Sequence, residues 1–265
     1  MRNRTTASFD GVSIAYSVSG SASTALLFIH GGMSDRSFWD GAHAAFADRF
    51  RVLALDLAGH GESGRNRTDW GVPQFGRDAL AVLDAEDVSR AVLVGNSLGG
   101  PAAVEAALLA PSRALAVIGV DTFQDIAPPM EPGQIRERVA AWRSDPAASM
   151  DQMMRQLLHP DTDPGLYGDI LRRNSQTPID VVCSLFLGLT GYDAGAAVAK
   201  LTVPLRCVNG DKYPTNIESV RRFAPGFDAV ILPHTGHYPM LECPAAFHRA
   251  LNNTLRNLGI AGSGG

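Results

Sequence analysis

Short runs of consecutive apolar residues recur along the chain: Ala25 to Ile29, Arg51 to Leu55, Ala91 to Val94, Ala114 to Val120, Leu205 to Val208 and Ala229 to Leu232. Runs this short, apolar at successive positions and bounded by Gly, Asp or Pro, predict parallel strands covered on both faces. Between them apolar residues recur at three- and four-residue spacing, over Ser37 to Arg49, Pro73 to Leu83, Leu98 to Leu109 and Pro244 to Leu258, which predicts helices. Strand alternating with helix implies the α/β class, with a mostly parallel, doubly wound sheet. Ahead of this series, Thr5 to Phe9 and Val12 to Val18 flank Asp10-Gly11, a hairpin signal, so the sheet is expected to begin antiparallel.

The alternation breaks between Asp121 and Val203. Prolines punctuate this stretch at 128, 129, 132, 146, 160, 164 and 178, with helix-like pieces over Gln134 to Trp142, Met150 to Leu158 and Ile179 to Leu189. Loops beyond about 15 residues without structure are uncommon, so the stretch reads as a helical cap inserted between two strands. The expected organisation is a core of residues 1–121 and 203–260, a cap over 122–202, and a flexible tail, AGSGG, over 261–265.

Composition changes this picture little. A chain of 265 residues suits one α/β domain with an insertion. A net charge of −4 argues against nucleic acid or an anionic membrane as partner, leaving a small-molecule substrate for a monomer or homodimer. Cys183, Cys207 and Cys243 are widely spaced with no CxxC pair, which fits neither a disulfide framework nor a zinc cage. The basic start, MRNRTTASFDG, reaches Asp10 without an apolar signal core, and no stretch approaches the roughly 20 apolar residues of a membrane span. A cytoplasmic location is the expectation.

Chemistry enters at Ala91-Val-Leu-Val-Gly-Asn-Ser-Leu-Gly-Gly, where Ser97 stands between an apolar strand and a helix with Gly95, Gly99 and Gly100 around it. This is a G-x-S-x-G nucleophile elbow: a tight turn exposes the hydroxyl, and small neighbours let strand and helix approach. A nucleotide-binding loop does not fit, because Ser97 occupies the middle of the would-be G-x-G-x-x-G and no G-K-[ST] follows.

With this elbow the chain resembles the α/β-hydrolase superfamily. His30-Gly31-Gly32 is similar to its oxyanion motif, Asp56-Leu-Ala-Gly-His-Gly-Glu-Ser63 to its D-x-x-G-x-G-x-S turn, and Gly236-His237-Tyr-Pro-Met-Leu-Glu242 to its C-terminal histidine loop. The resemblance implies oxyanion donors at the N–H groups of Gly32 and Leu98, supporting roles for His30 and His60, and no cofactor.

A serine hydroxyl needs a base. His237, after the last apolar run, fits the order Ser, acid, His. His43, His159 and His248 read as surface or structural residues, and a metal pair at His234 and His237 is discounted because no carboxylate or cysteine cluster accompanies them in sequence. In most relatives the acid follows the penultimate strand as G-x-x-D. Here Gly210-Asp211-Lys212-Tyr213 puts a tyrosine at that place and leaves Asp211 two residues out of register, about 7 Å along an extended chain. Asp121 ends the preceding strand, where some relatives carry their acid. Asp121 is therefore taken as the acid and Asp211 as the alternative; Asp56 and Asp125 are left as structural.

Ser, His and acid with two N–H donors form the apparatus of acyl transfer. An apolar, aromatic cap suggests a small, largely apolar ester, lactone or thioester, with Trp39, Phe123, Trp142, Phe186 and Tyr238 as candidate pocket residues. The alternatives are a C–C bond hydrolase, a cofactor-free dioxygenase of heteroaromatic rings using a His/Asp pair, and a non-enzymatic receptor on the same scaffold.

Overall fold

The computed structural model describes residues 1–126 and 129–262. Pro128 and the last three residues of the expected tail lie outside them. Eight strands form one sheet: β1 (Arg2–Ala7), β2 (Ser13–Ser19), β3 (Ala25–Ile29), β4 (Arg51–Leu55), β5 (Ala91–Asn96), β6 (Ala114–Val120), β7 (Leu205–Gly210) and β8 (Asp228–Leu232), in the order β1-β2-β4-β3-β5-β6-β7-β8. Strands β1, β2 and β4 pair antiparallel, and all pairings from β4 through β3 to β8 are parallel. The Asp10-Gly11 turn links β1 to β2, with Gly11 at φ 83°.

Strands β3 and β5 are buried at every position, as their unbroken apolar runs require. Alternate side chains feed two cores. Leu27, Leu53 and Leu93 face the helices α2 (Val72–Ala85) and α3 (Gly99–Leu109), joining Phe75, Val82 and the alanines of α3. Leu26, Phe28, Val92, Val94 and Ile118 face the other side, toward α1 (Asp40–Phe46) and α11 (Pro244–Asn257). The single helix expected over Ser37 to Arg49 is instead a 3₁₀ turn (Arg36–Trp39), which Asp35 caps by accepting from Ser37 N, followed by α1.

Between β6 and β7 lie five helices: α4 (Pro132–Ser144), α5 (Pro146–Leu157), α6 (Pro164–Asn174), α7 (Ile179–Gly188) and α8 (Ala194–Val198). Pro132, Pro146 and Pro164 each open a helix, where a missing N–H costs nothing. Asp145 and Asp163 precede two of them and accept from Ala148 N and from Gly165 N and Leu166 N. Ile135, Met154 and Ile170 from α4, α5 and α6 bury against the second core. Two short helices, α9 (Ile217–Arg221) and α10 (Pro239–Glu242), complete the chain. No helix among the described residues is long and apolar enough to cross a membrane.

Candidate functional site

The C-terminal ends of β3, β5, β6 and β7 converge on one place, which is where an open α/β sheet presents ligands. Ser97 follows β5 at φ 51°, a left-handed conformation that few side chains adopt. Its N–H bonds Val120 O at 3.2 Å, and its carbonyl accepts from Gly100 N at 2.9 Å, closing the turn into α3. Two glycines make this turn possible. A Cβ on Gly95 would lie 2.0 Å from Gly99 O, and one on Gly99 would lie 2.3 Å from Ile29 O.

The segment after β3 runs against the elbow, a Cβ on Gly31 falling 3.0 Å from Ser97 Cβ. Two buried imidazoles fix this segment. His30 Nε2 accepts from Leu57 N at 2.9 Å, so its other nitrogen donates to Gly31 O at 2.6 Å; His60 Nε2 accepts from Met33 N at 3.0 Å and Nδ1 donates to Ala58 O. Met33, held at φ 66°, thereby spends its N–H. Among the described residues no protein group accepts the N–H of Gly32 or of Leu98. Leu185 from α7 lies over Gly32, 3.8 Å from where a Cβ would stand.

Both imidazoles must stay neutral to accept these backbone donors. Burial pushes His30 down to about 4 and His60 to about 3; it also pushes down His43, which bonds Ser17 and Ser19, to about 4. The unfolded chain takes up these protons near pH 6.5, so below that pH it binds more protons than the fold does. Stability from these groups is full above about pH 6.5 and is lost as pH falls toward about 4, at roughly 1.4 kcal/mol per pH unit per histidine inside the window. Asp56 and Asp78, whose carboxyls burial pushes up, act in the opposite sense. Calorimetric Tm should therefore decline from about pH 6.5 to about 4.5, and His43→Gln should flatten the decline. A wild-type Tm level across that range would contradict this.

His237 Nδ1 lies 2.6 Å from Asp121 Oδ2. Asp121 is 5 % exposed, and its second oxygen accepts from Gly210 N at 3.1 Å. Asn209, fully buried on β7, brackets the next residue by bonding both Thr122 N and Thr122 O. Asn96 reaches His237 O at 2.9 Å and Val120 O at 2.9 Å, tying the elbow to the histidine loop and to β6. Glu242 holds that loop from beneath, accepting from Gly236 N at 3.0 Å and Tyr238 N at 2.8 Å. Among the described residues Ser97 Oγ makes no hydrogen bond; without substrate such contacts are commonly long.

Asp211 points elsewhere. Its oxygens accept from His234 N at 3.0 Å and Thr235 N at 3.1 Å, and these backbone donors, Thr235 foremost, hold its carboxyl below the usual range. Tyr213, at the position an acid would occupy, donates to Gln156 O at 2.9 Å, and Lys212 donates to carbonyls of Arg155 and Leu158. This stretch thus fastens α5 to the sheet.

The aromatic candidates divide. Trp39 is a correction to its expected place on the pocket wall: it has no exposed surface and packs between Phe28 and Phe247 in the core. Tyr238 is 1 % exposed, its ring beside His237 and its hydroxyl on Asn174, with burial pushing it up to about 12. Phe123 is almost buried and stands over Gly100. Trp142 and Phe186 line a cleft of about 390 Å³ with other residues of the inserted helices, and Ser97, His237 and Asp121 do not border it. Another cleft, about 400 Å³, adjoins Met33 and Ser34 beside the Gly31-Gly32 segment. The support given by Asn96, Asn209 and Glu242 was missed in sequence, although Asn96 and Glu242 stand inside the quoted motifs.

A family model described as alpha/beta hydrolase family matches residues 26–250. Among solved structures, an esterase from Thermogutta terrifontis superposes with a TM-score of 0.86 at 23 % identity, covering 97 % of this chain and 99 % of that one. The enol-lactonase from Burkholderia xenovorans LB400 gives 0.83 at 22 % identity, covering 96 % and 100 %. An uncharacterized Mycobacterium tuberculosis protein is 43 % identical over 100 residues, 37 % of this chain, and the match spans 28 % of that protein's length.

Proposed function

The chain belongs to the alpha/beta hydrolase family, and from that premise we propose that it is a serine hydrolase that cleaves a small, largely apolar carboxylic ester, lactone or thioester through an acyl-enzyme. The observation that carries this reading is the 2.6 Å contact of His237 Nδ1 with the buried Asp121 carboxylate, in a loop that Asn96, the neighbour of Ser97, ties to the elbow by donating to His237 O at 2.9 Å.

In this reading Asp121 keeps the proton of His237 on Nδ1, leaving Nε2 free to accept the Ser97 proton as Oγ attacks the carbonyl carbon. The tetrahedral oxyanion is received by the N–H groups of Gly32 and Leu98, which carry no protein acceptor. His237 then returns the proton to the leaving alcohol or thiol, and Ser97 holds the acyl group until water, deprotonated by the same imidazole, releases the acid. Leu185 and Leu98 beside Gly32 supply the apolar surroundings, and the five inserted helices act as the cap.

An organophosphonate probe tests the covalent step. One equivalent should attach to Ser97, identified by peptide mass, and should abolish turnover of p-nitrophenyl acetate. Label on another residue, or full activity after labelling, would sink the reading. The position of Asp121 after β6 also suits oxygenation of a heteroaromatic ring by a His/Asp pair, so the assay is repeated without oxygen; ester turnover is expected to be unchanged.

A further inference from the structure

His159, Asp161, His234 and Asp211 meet on the surface where the inserted helices touch the histidine loop. His159 and Asp161 lie between α5 and α6, His234 between β8 and α10, and Asp211 directly after β7. In sequence His234 has no carboxylate near it; the fold brings it two. Asp161 Oδ2 is 3.1 Å from His234 Nδ1 and 3.6 Å from His159 Nδ1. One donor atom from each of the three residues can be chosen so that all lie within 4.8 Å of one another. Asp211 Oδ1 stands 4.0 Å from His159 Nε2.

We propose that His159, Asp161 and His234 form a binding site for a divalent transition-metal ion of the zinc type, which pins the inserted helices to the loop that carries His237. A tetrahedral ion with ligand bonds of about 2.1 Å separates its ligand atoms by about 3.4 Å, and the two Asp161 edges bracket that separation. The third edge closes by rotation of His234, whose side chain is 78 % exposed. His159 Nδ1 now accepts from Asp161 N at 3.1 Å, a bond the ion replaces, and water takes the fourth position, since Asp211 faces the other ring nitrogen of His159. Two imidazoles with a carboxylate suit zinc, whereas calcium and magnesium prefer oxygen alone. Among the described residues neither Asp161 nor Asp211 pairs with a Lys or Arg, and Lys212 is committed to main-chain carbonyls. The site closes an existing seam, in which His237 N bonds Leu157 O at 3.0 Å and His159 N bonds Glu242 at 3.3 Å.

The test is titration of the untagged, chelator-treated protein with zinc chloride against a chromophoric zinc chelator, with melting followed in parallel. The expected result is one equivalent bound with Kd below about 10 μM, and a Tm that rises with zinc because only the folded chain presents the site. His234→Ala and Asp161→Asn should each weaken binding at least about tenfold and remove the Tm rise, with the metal-free Tm unchanged; His248→Ala should bind as wild type. Absence of saturable binding below about 100 μM zinc, or equal binding by His234→Ala and Asp161→Asn, overturns the proposal.

Discussion

Asp121→Asn is expected to lower kcat/KM for a p-nitrophenyl ester by roughly 10³- to 10⁴-fold, about 4 to 5.5 kcal/mol of transition-state stabilisation, while Asp211→Asn stays within a few-fold of wild type. The asparagine keeps the size of the side chain, and its oxygen can still accept from Gly210 N, which Asp121 Oδ1 does at 3.1 Å. What changes is the atom facing His237. An amide nitrogen donates where the carboxylate accepted, so Nδ1 must become an acceptor and the proton moves to Nε2, the nitrogen that should receive the proton of Ser97. The imidazolium also loses its buried counter-charge, Asp121 being 5 % exposed. Asp211 differs in every respect: its side chain is 39 % exposed, and its oxygens serve His234 N and Thr235 N rather than the imidazole. Losing part of that pairing costs about 1 kcal/mol of stability and leaves the pair at His237 intact. Steady-state kinetics of the two variants beside wild type decides the matter. A collapse in Asp211→Asn with Asp121→Asn near wild type would move the acid to the residue after β7.

The sheet was legible because parallel strands covered on both faces need unbroken apolar runs. The runs over Ala25–Ile29, Arg51–Leu55 and Ala114–Val120 match β3, β4 and β6 end to end. The inserted segment announced itself by breaking the alternation, and three of its prolines proved to be helix openings. Helix α6 escaped notice because Gly165, Gly168 and its charged residues obscure the apolar spacing, with Ile170 as its one fully buried apolar residue. Helices α8, α9 and α10 span only four or five residues each, too few for a period to show. Ser97, His237 and Asp121 could be singled out as candidates because each sits in a short stretch with its own local logic. Convergence between distant segments left no such trace. Nothing around Glu242 shows that its carboxylate will hold Gly236 N and Tyr238 N, and nothing around Asp161 points to His234. The aromatic residues were ambiguous for a related reason. A tryptophan next to an oxyanion motif serves a pocket or a core equally well until packing assigns it, and Trp39 went to Phe28 and Phe247.

Ser97→Ala carries the largest expected loss, roughly 10⁴- to 10⁶-fold in kcat for ester turnover, with binding of substrate little changed. The variant removes only the hydroxyl. The strained backbone at φ 51° is carried by bonds that alanine retains, from Ser97 N to Val120 O and from Gly100 N to Ser97 O, so the Tm should stay near that of wild type. The His237–Asp121 pair and the N–H groups of Gly32 and Leu98 are also left in place, and the residual rate reports what they accomplish by guiding water alone. That residue of activity separates the readings of this site. In an acyl-enzyme mechanism the variant loses both the pre-steady-state burst and nearly all turnover, because no acceptor for the acyl group remains. In a mechanism run by the histidine and aspartate as a general base, the nucleophile is not protein-borne, and Ser97→Ala would cost at most about 10²-fold through lost positioning. A burst-free variant that still turns over the ester within that smaller margin would refute the acyl-enzyme while leaving Asp121 and His237 in service.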